Sequence, residues 1–389
     1  MDIYSQAVQP ILVPSPDNAV SPPIFQTAAY AFRDINEVDE VLSGQRPGYS
    51  YTRGGNPNTE ALGQFVANLE GAEAGLVTSS GTAALLAGIM TLLPHPGCIL
   101  VAREIYGGTV GLVRDILGPM GYRLQWVDTH NPETVRDALG QGAGLLIMES
   151  ISNPLGRVCD LEHLITIAHE HHVPVMIDNT FATPFHATPL QWAADLVVHS
   201  LTKFIGGHSD LILGVVVGVH DTIQRASHIV DAAGFTPDPF ASWLCLRGAR
   251  TLALRMRQAS TNALELAQAL EQAQGVRRVY YSGLPSHPDH EVATRLLQRG
   301  FGSIVSISVD GGYEGVQTMI RHLDRVRLVP SLGDVATTIS HPVVASHREL
   351  TSEEKEIVGI DESIVRISVG IESSSDIIDD FVQALSHSL

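Results

Sequence analysis

Lysine is rare in this chain of 389 residues, so chemistry that needs a lysine amine has few candidates. Lys203 and Lys355 are the two lysines, and all the other residues among the 24 basic ones are arginines. Lys355 lies in the charged run Ser352-Glu353-Glu354-Lys355-Glu356, which is typical of a solvated surface. Lys203 follows a short apolar run and two hydroxyl residues, Ser200 and Thr202. The sequence therefore predicts that Lys203 is the reactive amine.

Other polar residues come directly after the short apolar runs of the chain. The first run ends in Ser79-Ser80-Gly81-Thr82 and opens into a helical stretch, a turn whose free backbone N–H groups suit a phosphate. Tyr106 follows the second run, and Asp178 ends the fifth. Ligands of an open α/β sheet bind beyond the carboxyl ends of its strands, so we expect these residues to share one pocket. Taken one at a time, these residues could be a tight turn, a packed ring and a helix cap. Because all three simpler interpretations would have to hold at the same edge of the sheet, a shared pocket is the better explanation.

This combination of groups matches the needs of pyridoxal 5′-phosphate (PLP). The aldehyde of PLP needs a lysine amine for covalent attachment, and its pyridine nitrogen needs a neighbouring carboxylate to stay protonated. The ring needs an aromatic face, and the phosphate needs N–H and hydroxyl donors. Asp178 lies 25 residues before Lys203, about the length of one α/β unit, so both can end neighbouring strands. We therefore predict that PLP is the cofactor.

Other motifs indicate no second chemistry. Gly140-Gln141-Gly142-Ala143-Gly144 precedes its strand instead of linking strand to helix, so it is not interpreted as a dinucleotide loop. The sequence contains no GxxxxGK[ST] phosphate loop. His169-Glu170-His171-His172 lacks the HExxH spacing that places two metal ligands one helical turn apart, and is interpreted as a solvated helix end. We predict no metal site.

The elements that must position these residues follow from the apolar pattern. From about residue 75, short and mostly continuous apolar runs alternate with helical stretches, as expected of strands that are buried on both faces. The runs occupy residues 75–80, 98–102, 123–128, 144–150, 174–179, 195–201 and 213–218. Alternation of this kind predicts an α/β domain with a large, mostly parallel or mixed sheet.

Two further regions flank this domain. Residues 1–60 are rich in Pro, Ser and Gly, including Pro14 and Pro16, and predict an extended arm that lies across another surface. A long helical stretch over 240–274 leads into a looser pattern, with strands at 303–309, 326–330 and 365–369 and helices at 314–323 and 376–385. We predict an arm over 1–60, a cofactor domain over 61–245 and a smaller C-terminal α+β domain over 246–389.

Composition excludes several classes of function. The 24 basic and 42 acidic residues give a formal net charge of −18, which disfavours nucleic acid or an anionic membrane as a partner. Cys98, Cys159 and Cys245 lack CxxC spacing and are typical of reduced thiols. The segment before Arg33 has no signal-peptide pattern, and no apolar run approaches the ~18 residues of a membrane span. We expect a cytoplasmic protein.

Taken together, the motifs resemble the Cys/Met-metabolism family of fold-type I PLP enzymes. This family includes cystathionine γ-synthases, cystathionine and methionine γ-lyases, and O-acyl-homoserine sulfhydrylases. The segment DLVVHSLTKFIGGHSD, residues 195–210, is similar to the family's cofactor-attachment motif. The resemblance extends from Tyr51-Thr52-Arg53-Gly54-Gly55-Asn56-Pro57 to Arg366-Ile367-Ser368-Val369-Gly370, nearly the whole chain. It implies the fold-type I PLP-transferase fold.

The resemblance also implies roles at the cofactor. Lys203 is similar to the lysine that binds PLP and shuttles protons, Asp178 to the partner of the pyridine nitrogen, and Tyr106 to the stacking ring and acid–base group. The residues implied at the phosphate within the subunit are Ser80, Gly81, Thr82, Ser200 and Thr202. Tyr51 and Arg53 resemble the pair that reaches the phosphate of a neighbouring subunit, which implies a homo-oligomer, in this family usually a tetramer with shared active sites.

A second set of residues is implied at the substrate. Asn153, Ser331 and Arg366 are similar to the residues that bind the substrate carboxylate, and a bidentate guanidinium suits that group. Tyr51 is expected at the substrate as well as at the phosphate. The substrate is expected to be a small amino acid.

The activity that the resemblance implies is γ-elimination from a sulfur amino acid of the cystathionine or methionine type, giving a 2-oxo acid, ammonia and a thiol. A γ-replacement enzyme, a specialised enzyme for another γ-substituted amino acid, and a non-catalytic PLP-binding protein stay open as alternatives. The motifs do not agree on which of these activities applies. Gly108 resembles cystathionine enzymes where methionine γ-lyases carry cysteine, whereas Asp334 resembles methionine lyases and sulfhydrylases. Thr82 and Asn58 also depart from the common pattern, where many relatives carry Met and Thr.

Overall fold

A computed structural model gives the structure of residues 1–9, 13 and 19–387. Pro14 and Pro16 of the predicted arm lie outside the described residues. The described N-terminal part contains three helices, α1 (Ile3–Gln6), α2 (Ile35–Leu42) and α3 (Pro57–Glu70). From residue 19 onward these helices are joined by turns and irregular segments, and all residues from 19 to 55 are exposed or half-exposed.

The prediction of a large mixed sheet is confirmed. Its strands are β1 (Ala74–Thr78), β2 (Cys98–Ala102), β3 (Arg123–Val127), β4 (Ala143–Glu149), β5 (Val175–Asp178), β6 (Leu196–Ser200) and β7 (Gly214–Gly218). They are arranged in the order β1-β7-β6-β5-β4-β2-β3. β7 runs antiparallel to both β1 and β6, and the other neighbouring strands are parallel. Each predicted apolar run overlaps one of these strands.

The sheet is buried on both faces, as its apolar runs predict. Side chains of successive strand residues point to opposite faces. In β4, Leu146 and Met148 belong to one hydrophobic core, whereas Leu145 and Ile147 belong to another. The surrounding helices are α4 (Gly81–Leu92), α5 (Gly107–Gly111), α6 (Pro132–Gly140), α7 (Leu161–Glu170), α8 (Thr183–His186) and α9 (His220–Ala233). A π-helical turn (Leu112–Leu117) and 3-10 turns (Gly118–Met120, Pro189–Trp192) complete this layer.

The C-terminal part forms a second, smaller sheet of order β10-β11-β12-β9-β8. Its strands are β8 (Val276–Tyr280), β9 (Ile304–Val309), β10 (Arg327–Leu328), β11 (Thr338–Ser340) and β12 (Ile364–Ser368). The helices that follow α9 are α10 (Pro239–Ala249), α11 (Leu252–Glu271), α12 (His290–Leu296), α13 (Gly312–His322), α14 (Ser352–Val358) and α15 (Ser374–Ser386). The α+β character predicted for this region is thus confirmed, while the limits of the three predicted domains stay a prediction.

Three details differ from the predicted elements. The helical stretch over 240–274 is two helices, because the chain leaves the helix at Arg250 and Thr251. The predicted strand at 326–330 is reduced to the two residues of β10. The first strand ends at Thr78, earlier than predicted, because the Ser80 side chain accepts a hydrogen bond from the Ala83 N–H and begins α4. Within the described residues, no helix has both the length and the apolar character needed to cross a bilayer.

Candidate active site

One cavity of about 420 Å³ lies beyond the carboxyl ends of the central strands of the large sheet. Residues that follow β1, β2, β4, β5 and β6 line it, and the C-terminal part of the chain contributes the opposite wall. The structure brings together in this cavity all of the predicted site residues except Tyr51 and Arg53: Ser80, Gly81, Thr82, Tyr106, Asn153, Asp178, Ser200, Thr202, Lys203, Ser331 and Arg366.

Lys203 follows β6 and extends into the cavity toward the C-terminal part of the chain. Its Nζ donates a hydrogen bond of 2.9 Å to the Ser331 hydroxyl. Burial, assisted by the positive charge of Arg366, lowers the pKa of Lys203 from 10.5 to about 8. A lowered pKa leaves an appreciable fraction of the amine neutral near neutral pH, which is the nucleophilic form.

The turn from β1 into α4 forms a cradle against the end of β6. A Cβ atom on Gly81 would lie 2.8 Å from the Ser200 Cβ, so only glycine allows this approach. Because α4 begins at Gly81, the first N–H groups of the helix have no partner within the helix and are directed toward its N-terminal end. Ser80, Ser200 and Thr202 also line this cavity, and the Thr202 hydroxyl donates to the Leu213 carbonyl. N–H donors at a helix N-terminus suit a phosphate.

Asp178 ends β5, between the ends of its two neighbours in the sheet. It lies in register with Glu149 of β4 and Val198 of β6. The N–H and the hydroxyl of Thr180 both donate to Asp178 Oδ1. Burial raises the pKa of Asp178, although these hydrogen bonds and the nearby His199 oppose the rise. Because burial penalises a lone carboxylate, a cation placed beside it is favoured, and a protonated pyridine nitrogen is such a cation.

Tyr106 lies at the start of α5, and its position depends on a carboxylate and a glycine. The backbone N–H of Tyr106 donates to Glu149 Oε1 at 2.7 Å, and the N–H of Asn153 donates to Glu149 Oε2 at 3.1 Å. A Cβ on Gly108 would lie 2.3 Å from the Tyr106 Cε1 atom, so the ring occupies space that any side chain at 108 would need. Burial raises the pKa of the Tyr106 hydroxyl, which therefore keeps its proton at neutral pH.

Arg366 forms a buried cationic site on the opposite wall. Its Nη1 donates to Asn153 Oδ1 at 3.0 Å and its Nη2 donates to the Ser331 carbonyl at 3.1 Å. Its Nε has no hydrogen-bond partner among the described residues, and burial lowers the pKa of this guanidinium to about 10. A buried guanidinium with unused donor capacity favours binding of an anionic group such as a carboxylate.

Tyr51 and Arg53 lie outside this cavity. They line a separate, open hollow of about 880 Å³ between the arm and residues 236–239. The Tyr51 side chain is 52% exposed, and Arg53 Nε lies 3.3 Å from Asp231 Oδ1 in a half-exposed ion pair. Within one chain these two residues therefore do not contribute to the site around Lys203.

PLP fits the residues of this cavity. The Gly81–Ser200 cradle offers N–H and hydroxyl donors to a phosphate, Asp178 is a carboxylate for which a cation is favourable, and Lys203 offers a partly neutral amine. The observation that tests whether PLP fits is the close approach of Gly81 to Ser200. A side chain at position 81 would fill the space between these two residues.

Three polar residues that line the cavity were not among the predicted ones. Glu149 ends β4 and is bonded to the predicted residue Asn153, and Thr180 follows β5 and is bonded to the predicted residue Asp178. Their positions at strand ends could therefore have identified them. Ser346 also lines the cavity, and its hydroxyl lies 2.9 Å from Nδ1 of the buried His347. Burial, with the charge of Arg366, lowers the pKa of His347 to about 4, so this imidazole is neutral at physiological pH. No apolar or polar pattern near 346 indicates its position.

Comparisons with known proteins show what the whole chain is similar to. The sequence profile of the family "Cys/Met metabolism PLP-dependent enzyme" matches residues 8–386. The chain is 36% identical to an O-succinylhomoserine sulfhydrylase of Pseudomonas aeruginosa, over 96% of this chain and 92% of that protein. It is also 36% identical to an L-methionine gamma-lyase of Fusobacterium nucleatum subsp. polymorphum, over 93% of this chain and 92% of that protein.

A solved structure agrees over the whole length. The crystal structure of the cystathionine gamma synthase from Xanthomonas oryzae pv. oryzae, in complex with aminoacrylate and cysteine, superposes with a TM-score of 0.94 at 34% sequence identity, covering 100% of this chain and 98% of that one. The profile match over nearly all residues and the site around Lys203 lead to one assignment. The chain belongs to the Cys/Met metabolism family of PLP-dependent enzymes.

Proposed function

We propose that this protein is a C–S γ-lyase that acts on a sulfur amino acid of the cystathionine or methionine type and releases a 2-oxo acid, ammonia and a thiol. The observation that carries the proposal is the placement of the Lys203 amine 2.9 Å from the Ser331 hydroxyl, in a cavity that also holds the Arg366 guanidinium and the Asp178 carboxylate. An amine that can move protons thus lies next to groups suited to a substrate carboxylate and to a protonated pyridine.

The cofactor would be held by the residues at the ends of the strands. Ser80, Gly81, Thr82, Ser200 and Thr202 would hold the phosphate, Asp178 the pyridine nitrogen, Tyr106 the ring face and Lys203 the aldehyde carbon. When bound, PLP supplies an electron sink for the negative charge that develops on the substrate.

Substrate binding and proton transfer would be carried out by side chains of this protein. Arg366, Asn153 and Ser331 would bind the substrate carboxylate and fix the amino acid in one orientation. Lys203, with its lowered pKa, would take the proton from Cα and then move a proton at Cβ. The Tyr106 hydroxyl, which keeps its proton at neutral pH, would donate that proton to the departing sulfur.

The arm residues require a neighbouring subunit. We propose that Tyr51 and Arg53 reach the phosphate and substrate of an adjacent subunit in a homotetramer, because within one chain they line an exposed hollow away from Lys203. The domain limits of 1–60, 61–245 and 246–389 are part of this proposal. We also propose a cytoplasmic location, in keeping with the three free and buried cysteines, Cys98, Cys159 and Cys245.

A γ-replacement activity is the second candidate, since two of the similar proteins are named a sulfhydrylase and a cystathionine gamma synthase. Incubation of the holoenzyme with L-methionine or L-cystathionine should release 2-oxobutanoate and ammonia. Release of no keto acid from either would contradict the proposal. With O-acetyl-L-homoserine as substrate, thioether formed in preference to keto acid when cysteine is added would favour the replacement enzyme.

A further inference from the structure

We infer that the cavity selects amino acids whose γ-substituent is uncharged, such as an alkylthio or acetyloxy group, over those whose γ-substituent carries a second charged group. This inference rests on the proposed γ-elimination and narrows its substrate. It has two grounds. The charged side chains of the cavity already have partners or assigned roles, and the rest of the cavity wall is uncharged.

The charged side chains that line the cavity, among the residues that the structure describes, are Glu149, Asp178, Lys203 and Arg366. Both oxygens of Glu149 accept backbone hydrogen bonds, at 2.7 and 3.1 Å. Asp178 accepts from Thr180 and is assigned to the pyridine nitrogen. Lys203 and Arg366 are assigned to the cofactor and to the α-carboxylate. Each charge of the wall is therefore committed to the cofactor, to the common part of the substrate or to the backbone.

The wall around these groups is uncharged. Its apolar part includes Ile151, Phe181, Ile212, Pro330, Leu332 and Ala345. Its other neutral polar groups include Ser346, whose hydroxyl is paired with the neutral imidazole of His347. A neutral thioether or ester would contact this wall favourably, whereas an additional ammonium or carboxylate would be partly desolvated without a counter-charge.

The hollow that Tyr51 and Arg53 line, which the proposed function places beside a neighbouring cavity, has two charged side chains among its described residues, Arg53 and Asp238, and both are engaged. Arg53 lies 3.3 Å from Asp231 and is assigned to the phosphate. Asp238 Oδ1 accepts from the Ala241 N–H at 2.7 Å, and its Oδ2 accepts from Gln26 Nε2 at 3.1 Å. A second charged group of the substrate would have to displace one of these pairs.

Two matched pairs of substrates test this inference on the wild-type holoenzyme. O-acetyl- and O-succinyl-L-homoserine differ in a carboxylate, and L-methionine and L-cystathionine differ in a second amino-acid end. All four give 2-oxobutanoate by one stoichiometry, in which one water is consumed, the Cγ–S or Cγ–O bond breaks, the leaving group gains a proton, and ammonium is released. We expect kcat/KM for the uncharged member of each pair to be higher by about tenfold or more.

A variant adds the missing charge to the wall. Ile212 lines the cavity and is 68% exposed, so it lies where an arginine can reach a γ-substituent while staying solvated. Ile212→Arg should raise kcat/KM for O-succinyl- relative to O-acetyl-L-homoserine by about tenfold. Ile116→Arg, at a position that is 53% exposed and outside the cavity, is the matched control and should leave that ratio unchanged.

The possible failures are distinguishable. If the wild-type enzyme uses both members of each pair equally well, the inference is overturned, while the proposed γ-elimination stands. If Ile212→Arg folds, binds PLP and leaves the ratio as it is in the wild type, the assignment of this wall to the γ-substituent is wrong. If none of the four compounds yields 2-oxobutanoate, the proposed function itself is contradicted.

Discussion

Glu149 connects two parts of the active site, and its replacement by glutamine should damage both at once. Its carboxylate accepts the backbone N–H of Tyr106 from one loop and that of Asn153 from another, 43 and 4 residues away in sequence. Glu149 is only 9% exposed, so solvent has little access to replace either bond. Glu149→Gln preserves the shape but offers a single oxygen acceptor. One of the two N–H groups would then face an NH₂ group.

The size of the effect follows from these contacts. A buried donor left without a partner costs about 1–3 kcal/mol. Part of this is offset, because burial and the nearby Asp178 already raise the pKa of Glu149 and an amide removes that unfavourable charge. We expect the holoenzyme to lose about 1–2 kcal/mol of stability. Since Tyr106 and Asn153 lose their common anchor, kcat/KM should fall by about tenfold or more.

Denaturant unfolding and steady-state kinetics, both at fixed protein and PLP concentrations, measure these two effects. Glu265→Gln is the matched control, because Glu265 is exposed in the middle of α11 and should change neither quantity measurably. Glu149→Asp should recover part of the activity, since it keeps two acceptors on a shorter side chain. A Glu149→Gln enzyme as stable and as active as the wild type would refute the argument that this carboxylate positions the two loops.

Three further outcomes are expected. Gly108→Cys should displace the Tyr106 ring, because the new Cβ would lie 2.3 Å from a ring carbon. It should lower kcat by about tenfold or more with a smaller change in PLP affinity, and an unchanged kcat would contradict this. Because burial lowers the pKa of Lys203 to about 8, the rate of PLP uptake by the cofactor-free protein, followed by absorbance, should rise with pH around a midpoint near 8; a midpoint near 10.5 would show an unperturbed amine. Arg53→Ala should weaken PLP binding, measured by dialysis, whereas Asp231→Asn removes only a half-exposed ion pair and should not; equal effects would argue against a phosphate contact.

The sequence predicts the central part of the fold well, because that part depends on local pattern. Strands buried on both faces are mostly apolar, as β4 is from Ala143 to Met148, and this distinguishes them from the helices between them. The carboxyl ends of such strands share one edge, so Asp178 and Lys203 could be placed together from sequence alone.

Elements at the margins of the sheets were harder to predict. β8 exposes both Arg277 and Arg278 and therefore lacks the apolar run of a buried strand. β11 has only three residues. The break between α10 and α11 carries no proline or glycine, so the pattern over 240–274 appears as one helix.

Long-range polar contacts were also not predictable from a single sequence. Arg255, on α11, donates to the carbonyls of Phe204 and Ile205 and thus supports the loop that follows Lys203. A Cβ on Gly207 would lie 2.2 Å from the same guanidinium. Nothing in the local pattern of either segment indicates this contact, because it depends on how two distant elements pack.

The attachment of PLP to Lys203 is the central claim, and reductive labelling tests it most directly. The holoenzyme is treated with borohydride, digested and mapped by mass spectrometry. Because the chain contains two lysines, the result has few alternatives. We predict a pyridoxyl group on the peptide that contains Lys203 and none on the peptide that contains Lys355. A label on Lys355, or on neither lysine, would contradict the account.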